Sequence, residues 1–284
     1  MVFLEGIMLL CKSVKYIAMR KIIIYALLTM LFVSCGDFEK VRKSTDYQMK
    51  YEYAKNAFER GKYLECATLL EELVTIYRGS TKAEEALYLL ARSYYENKDY
   101  LTAGEYFKAY YRNFPQGQYA ELSRYYCGYG YYLDSPDPRL DQSGTYKAID
   151  EMQQFIALYP RSEKAADAQR IIFELQDKLV YKEVLNAQLY YNLGNYLGNN
   201  YQSAIITAQN ALKEYPYTQY KETLMMLILK SKYQEALQSY DERKPERFRG
   251  VIDEYYAFIN EYPEGANAEE AHRIYKVASR YVRN

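Results

Sequence analysis

The segment ALYLLARSYYENKDYLTAGEYFKAYYRNFP, residues 86–115, contains the pattern that decides the fold. Its first half has apolar residues three and four positions apart, the spacing of one helix face: Leu87, Leu90, Ala91 and Tyr94. After a turn at 97–100, a second helix is marked by Ala103, Phe107 and Tyr110. Pro115 ends it, because proline lacks a backbone N–H and clashes with the preceding turn. The segment therefore predicts a helix pair that crosses closely at Ala91 and Ala103.

The same phrase, a small residue followed by an aromatic residue and an aromatic-proline turn, recurs along the chain. Four turns have this form: Phe114-Pro115, Tyr159-Pro160, Tyr215-Pro216 and Tyr262-Pro263. Tyr77-Arg78 is a degenerate fifth turn, with arginine where proline is expected. The turns follow one another at 37 to 56 residues, which is typical of tetratricopeptide repeats with some extended helices or loops.

Five helix pairs and a closing helix follow from these repeats. The third pair is predicted at 119–133 and 146–159, separated by a loop at 134–144 that contains two prolines and a glycine. The fourth is predicted at 169–197 and 201–215, the fifth at 220–240 and 248–262, and the closing helix at 267–282. Because no stretch alternates like a strand, the predicted fold is an all-α tetratricopeptide-repeat solenoid.

Composition argues against several functional classes. The 37 basic residues equal the 37 acidic ones, so no strong charge draws the chain to nucleic acid. One histidine, His272, cannot supply a histidine-based metal cluster or readily a catalytic triad. Asp134, Asp137 and Asp141 miss the spacing of a calcium loop, and the glycines of Cys-Gly-Tyr-Gly at 127–130 predict close helix packing. We therefore expect a binding protein, with no enzymatic activity, no metal and no cofactor apart from acyl chains.

The first 34 residues have the features of a targeting segment. A basic start at 19–21 precedes the apolar run IIIYALLTMLFV, residues 22–33, which is too short to cross a bilayer as a helix. Ser34 and Cys35 follow, and the arrangement resembles a bacterial lipobox. We predict a signal peptide at 1–34, with diacylglycerol and N-acyl chains on Cys35. Met19 is an alternative translation start, in which case residues 1–18 are an over-extended beginning of the sequence. For the apolar run at 22–33, the alternative to a signal peptide is a retained signal anchor.

An inner groove is the predicted binding site of the first three repeats. In such arrays the first helix of each pair lines the concave side, where eight aromatic and basic residues are expected: Tyr51, Lys55, Phe58, Tyr88, Arg92, Tyr95, Tyr125 and Tyr129. Rings interleaved with cations suit an extended peptide that carries carboxylates. The alternative is that most of these rings pack between helices. Cys66 and Cys127 lie in apolar helical patterns and are predicted to be buried free thiols.

From residue 141 to 218 the amino-acid sequence resembles that of the BamD family of outer-membrane assembly lipoproteins. The similar phrases are DQSGTYKAIDEMQQFIALYPRSEKAADA, LQDKLVYKEVLNAQLYYNLGNY and ALKEYPYT. The resemblance covers about 35–265. Two departures stand out: Arg78 in the first turn and a divergent last repeat.

The resemblance implies a lipid-anchored, periplasm-facing subunit in the outer membrane. Repeats 1–3, residues 46–160, would bind unfolded outer-membrane proteins. Repeats 4–5 and the closing helix, 161–284, would dock a BamA-type barrel subunit and accompany other assembly-complex lipoproteins, and 35–45 would be a lipidated linker. Gly36 after the cysteine agrees with delivery to the outer membrane.

Two alternatives remain open at this point. One is another periplasmic tetratricopeptide scaffold lipoprotein, such as a secretion pilot or an envelope coordination factor. The other is an enzyme acting on glycans through a carboxylate pair, for which the sequence offers no pocket-like pair of acidic residues.

Overall fold

The computed structural model describes residues 35–282, and within this range the chain forms twelve α-helices, one short 3₁₀ turn and no strand. The predicted signal peptide at 1–34 lies outside the described residues. The chain divides into two compact units, one ending at Gly117 and the other beginning at Gln118. Across the described range, every helix is too short or too polar to span a bilayer.

Unit 1, residues 35–117, consists of five helices. They are α1 Cys35–Lys43, α2 Tyr47–Glu59, α3 Tyr63–Ile76, α4 Ala83–Glu96 and α5 Tyr100–Asn113. Within this unit, consecutive helices from α2 to α5 pack on one another, and α1 contacts α2. The pairs α2/α3 and α4/α5 are the first two predicted repeats, and α1 lies within the predicted linker at 35–45.

Unit 2, residues 118–282, consists of seven helices and the 3₁₀ turn Asp241–Arg243. The helices are α6 Ala120–Leu133, α7 Ser143–Leu158, α8 Ala165–Leu193, α9 Asn200–Glu214, α10 Lys221–Leu237, α11 Lys244–Glu261 and α12 Ala268–Val282. Consecutive helices pack together here too. Three further pairs and a closing helix complete the five predicted repeats, so the all-α fold class is confirmed. The functional division predicted at residue 160 stays a prediction.

The aromatic-proline turns share one backbone geometry. The residue before proline has φ near −128° and ψ between 59° and 70° in all four turns: Phe114, Tyr159, Tyr215 and Tyr262. Proline disfavours the helical region for the residue that precedes it. Tyr77, which precedes Arg78, instead has φ −83° and ψ 4°. The first repeat therefore reaches its next helix through a different turn, in which Gly79 has φ +79°.

Small residues of the paired helices are buried in the core. Ala91 and Ala103 are fully buried in unit 1, as are Ala54 and Cys66. Cys66 is a free thiol, and its Sγ accepts a hydrogen bond from Ser93 Oγ at 3.1 Å. Burial raises the pKa of this thiol to about 11. The prediction of buried cysteines outside any disulfide is confirmed for Cys66 and Cys127.

The longest helix, α8, starts and ends earlier than the sequence suggested. It covers Ala165–Leu193, whereas the apolar pattern placed it at 169–197. Gly194 ends the helix with φ +56°, and its N–H bonds to the carbonyls of Tyr190 and Tyr191. Leu197 therefore belongs to the following turn, although its apolar side chain continues the helical pattern.

Gly128 confirms the packing role that was predicted for the glycines at 127–130. It lies within α6, and a Cβ at this position would meet Met152 Cγ and Sδ at 3.2 Å and Glu151 Cβ at 3.3 Å. Both neighbours belong to α7 and are buried. The absent side chain allows α6 and α7 to approach closely.

We expect Gly128→Leu to lower the free energy of unfolding by about 1–3 kcal/mol, the usual cost of overpacking a buried contact. Gly250 is the matched control, because it lies within α11 with open space around its Cβ position. Gly250→Ala should raise stability by about 0.5–1 kcal/mol through helix propensity alone. Urea unfolding followed by circular dichroism measures both. Unchanged stability of Gly128→Leu would contradict the packing account.

Candidate functional site

Two of the eight predicted groove residues are packing residues. The side chain of Tyr51 is only 2% exposed and that of Tyr125 only 5%. Tyr51 meets the edge of Tyr77 at 5.5 Å between ring centroids. Tyr125 stacks on Tyr129 at 5.5 Å and donates a hydrogen bond to Asp167. Burial raises the pKa of both phenols, and the hydrogen bond to Asp167 raises that of Tyr125 further. For Tyr51 and Tyr125, the structure therefore favours the alternative of packing between helices.

The other six predicted residues are partly exposed: Tyr129 on α6, and five residues on α2 and α4 of unit 1. We call these five the unit-1 aromatic surface: Lys55, Phe58, Tyr88, Arg92 and Tyr95. Each of the three rings is supported at its edge by another ring of the same unit. Phe58 meets Tyr63 at 5.3 Å, Tyr88 meets Tyr110 at 5.8 Å, and Tyr95 meets Tyr100 at 5.5 Å. Rings held in this way are pre-ordered for a further contact on their exposed parts.

The two cations of this surface are already paired with carboxylates. Lys55 Nζ lies 2.9 Å from Glu85 Oε1, which links α2 to α4. The contact with Lys55 holds the pKa of Glu85 below its usual range. Arg92 pairs with Glu96 at 2.5 Å on α4 itself. Since both positive charges are balanced locally, this surface offers ring contacts more than net charge.

A second structured feature, in unit 2, is the loop at 134–142 between α6 and α7. Gln142, the last residue of this loop, is almost fully buried. Its Nε2 donates to Asp137 O at 2.8 Å and to Leu140 O at 3.2 Å, and its Oε1 accepts from Thr145 Oγ1 at 2.8 Å. The glutamine and threonine of the family-like phrase thus close the loop on itself.

Two lysines of α8 fasten this loop to the long helix. Lys178 Nζ donates to Ser135 O at 2.9 Å and to Ser135 Oγ at 2.8 Å. Lys182 Nζ donates to Leu140 O at 3.0 Å. Burial lowers the pKa of Lys178. Lysines of the second family-like phrase therefore hold the loop that Gln142 of the first phrase closes.

A cavity of about 360 Å³ lies beside this loop. Its wall includes Tyr146 of α7, Lys182 and Glu183 of α8, and Glu214 and Tyr215 near the end of α9. Asp141 adds a further carboxylate. Since the acidic lining residues outnumber the one lysine, the cavity suits a neutral or cationic group better than an anion.

Asp134, Asp137 and Asp141, which the sequence analysis considered as a calcium loop, do not form a cluster of metal ligands. Asp137 Oδ1 accepts from Arg139 N at 2.9 Å, and Asp141 Oδ2 accepts from Ser143 N at 3.0 Å. Asp137 and Asp141 therefore stabilise turns of the loop. In the range 35–282, no group of three or more His, Cys, Asp or Glu side chains is arranged to hold a metal ion.

His272 lies on the exposed side of α12, as expected from its place in the closing helix. Its Nδ1 is 2.8 Å from the hydroxyl of Tyr255 on α11. The contact joins two packed helices and includes no third polar group that would make a catalytic arrangement. We assign it to helix packing within unit 2.

Sequence reasoning missed an apolar patch at the end of α8. Five side chains of α8 and the following turn are exposed, and we call them the α8 patch: Leu189, Tyr190, Leu193, Tyr196 and Leu197. Leu197 is 91% exposed and Tyr196 is 68% exposed. The signal was present in the sequence, because 189, 193 and 197 are spaced by four. The helix predicted at 169–197 includes these three positions. Clustered exposed apolar residues mark interaction sites in folded proteins.

Comparison with known proteins identifies the family of the chain. The family model YfiO, described as an outer membrane lipoprotein, matches residues 43–244, which is most of the chain. A curated protein of Aquifex aeolicus (strain VF5), named "Putative outer membrane protein assembly factor BamD", is 26% identical over 167 residues. That match covers 58% of this chain and 55% of the relative's own length. The chain belongs to the YfiO family of outer membrane lipoproteins.

Proposed function

We propose that the chain is a lipid-anchored subunit of the machinery that assembles β-barrel proteins in the outer membrane. It binds unfolded barrel proteins through unit 1 and docks a BamA-type barrel subunit, with the other lipoproteins of the complex, through unit 2. The observation that carries this proposal is the similarity to a relative named as an assembly factor. The protein acts without catalysis and without nucleic acid, and acyl chains on Cys35 are its one attached group.

The lipid anchor places the protein on the periplasmic side of the outer membrane. A diacylglycerol and an N-acyl chain on one cysteine supply the two or more chains that stable membrane attachment requires. The family description as outer membrane lipoproteins supports this assignment.

We expect Cys35→Ser to move the protein from the membrane fraction to the soluble fraction of the envelope, because the acyl chains would have no attachment point. Fractionation and intact-mass measurement of both proteins test this. Cys66→Ser is the matched control, since Cys66 is fully buried and cannot carry a lipid. A Cys35→Ser protein that remains in the outer membrane without added mass would contradict the anchor.

Client binding is assigned to the unit-1 aromatic surface. An unfolded barrel strand presents alternating aromatic side chains, and rings at interfaces contribute large contact areas at low entropic cost. The exposed parts of Phe58, Tyr88 and Tyr95 can receive such rings. With Lys55 and Arg92 already paired, the attraction is moderate. A moderate affinity suits a protein that must release its client.

Replacing Tyr88 and Tyr95 by alanine should weaken binding of a short labelled peptide of alternating polar and aromatic residues by about tenfold or more. Fluorescence anisotropy with the full chain in mild detergent measures this, and circular dichroism checks the fold. Tyr240→Ala is the control, because Tyr240 is 85% exposed and lies in unit 2. Unchanged affinity of a folded double variant would remove this surface as the client site.

Docking of the barrel subunit is assigned to the α8 patch. An apolar patch at the end of one rigid helix gives a partner a well-ordered surface, and burying it is favourable by about 25 cal/mol per Å² of apolar area. The patch lies within the predicted docking part of the chain, residues 161–284. Four of its five residues belong to the sequence phrase 175–196 that resembles the assembly lipoproteins.

Leu193→Glu should abolish co-purification of the barrel subunit from outer membranes solubilised in mild detergent, because a buried unpaired charge is costly at an interface. Leu158→Glu is the matched control, since Leu158 is 58% exposed at the end of α7. The two partner yields are compared by quantitative mass spectrometry. If even the wild-type chain recovers no barrel subunit, the generic periplasmic scaffold lipoprotein becomes the better assignment.

A further inference from the structure

Two exposed leucines occupy the same place in the first two repeats of unit 1. Leu64 is the second residue of α3 and is 63% exposed, and Leu101 is the second residue of α5 and is 51% exposed. Within the range 35–117 they are the most exposed of the large apolar side chains. Such side chains contribute little to the core, so their repetition at one position indicates a surface contact.

A cation without an ion pair lies shortly before each leucine. Arg60 and Lys98 occupy the turns that connect α2 to α3 and α4 to α5, and both side chains are exposed. Neither forms a salt bridge or a side-chain hydrogen bond with another residue of the range 35–282. We call the four residues at these two turns the leucine edge: Arg60, Leu64, Lys98 and Leu101.

Both halves of the leucine edge lie at the same end of unit 1. The turn at 60–62 precedes α3, and the turn at 97–99 follows α4. Helices that are joined by short turns run antiparallel, and so the beginning of α3 packs beside the end of α4. The hydrogen bond from Ser93 Oγ to Cys66 Sγ at 3.1 Å joins these two segments.

The predicted lipid anchor belongs to this end as well. The Phe38 ring of α1 lies 6.2 Å from the Tyr53 ring of α2, measured between centroids. Because α1 leads into the start of α2 through residues 44–46, it runs antiparallel to α2, and its first turn, which includes Cys35, lies towards the end of α2. Tyr53 and Arg60 line one small cavity of about 200 Å³. Acyl chains on Cys35 would therefore enter the bilayer on the side of unit 1 that carries the leucine edge.

The charges at this end of unit 1 suit a zwitterionic surface. Two carboxylates share it with Arg60 and Lys98: Glu59 is exposed at the end of α2, and Asp99 caps α5 by accepting a hydrogen bond from Thr102 N at 3.2 Å. The local net charge is therefore small, which disfavours a polyanion as the partner. Phospholipid headgroups offer phosphates to the two cations, and the apolar layer beneath the headgroups can receive leucine side chains.

We propose that the leucine edge lies on the phospholipid surface that the acyl chains of Cys35 enter. Its leucines insert into the interface, and Arg60 and Lys98 contact lipid phosphates. The proposal rests on the proposed lipid anchor and adds an orientation to it. Two leucines bind a bilayer weakly by themselves, but the anchor keeps them at a high effective concentration beside it. This second contact prevents unit 1 from rotating freely about its point of attachment.

The test measures how closely labelled positions of unit 1 approach a membrane. The lipidated full chain is reconstituted into vesicles of phosphatidylethanolamine and phosphatidylglycerol. A fluorophore is attached to one introduced cysteine, and lipids that carry a nitroxide near the headgroup quench it. The wild type, in which Cys66 and Cys127 are buried, gives the background labelling.

Leu64→Cys and Leu101→Cys place the fluorophore on the leucine edge. Thr75→Cys is the matched reference, because Thr75 is exposed in the last turn of the same helix as Leu64. The two positions are about 16 Å apart along the axis of α3, at 1.5 Å per residue. Labels at 64 and 101 should be strongly quenched and have blue-shifted emission, whereas the label at 75 should show neither effect.

A second set of variants keeps the label in one place and changes the leucines. Asn97→Cys carries the fluorophore in the turn between α4 and α5, where Asn97 is exposed. Adding Leu64→Glu and Leu101→Glu should reduce the quenching at 97 to the level of position 75, because carboxylates do not enter the apolar layer. Ile76→Glu is the matched control, since Ile76 is an exposed apolar residue at the other end of α3, and it should leave the quenching unchanged. Circular dichroism checks that each variant is folded.

The outcomes separate the leucine edge from the lipid anchor. Equal quenching at 64, 101 and 75 in protein that floats with the vesicles would overturn the leucine edge and leave the anchor intact. Failure of the protein to float with the vesicles would overturn the anchor and the leucine edge together. Blue-shifted emission at 64 and 101 without quenching by the nitroxide lipids would assign the leucines to a protein contact and overturn the proposal. Strong quenching at 64 and 101, with the label at 97 responding to the leucine variants and not to Ile76→Glu, supports it.

Discussion

The close approach of successive helices is the constraint on which the rest of this structure depends. Ala54, Cys66, Ala91 and Ala103 are fully buried at crossings in unit 1, and Gly128 has the same role against Met152 in unit 2. A larger side chain at these points would separate the helices, because protein interiors have little free volume. Tightly packed helices leave too little interior volume for every tyrosine ring, and a number of these rings are exposed on the surface.

Local charge pairing then determines which surfaces can attract a charged ligand. Lys55 and Arg92, which the sequence pattern assigned to a peptide-binding groove, each form an ion pair with a glutamate. Such pairs add little to stability when they are exposed, yet they cancel the field that a ligand would experience. Arg60 and Lys98 differ, because each is exposed and forms no ion pair with another residue of the range 35–282. Unpaired charges, more than basic residues as such, therefore indicate where this chain can attract a charged ligand.

The sequence predicted the exposure of some groove residues and not of others. The repeat period placed Phe58, Tyr88 and Tyr95 on first helices, and they are partly exposed. The same period assigned Tyr51 and Tyr125 to the groove, where the structure buries them. A shift of one residue in helical phase turns a side chain by about 100°, so burial could not be read from spacing alone.

The sequence by itself determined the order of the helices, the number of repeats and the turns at proline. These are local properties, because apolar spacing and the restricted residue before proline act within a few residues. Only the tertiary structure decided which glutamate meets Lys55, how Lys178 and Lys182 hold the loop at 134–142, and that the exposed leucines lie at the same end of unit 1 as the first turn of α1. Those outcomes depend on partners from separate helices, and packing in three dimensions is what brings such residues together.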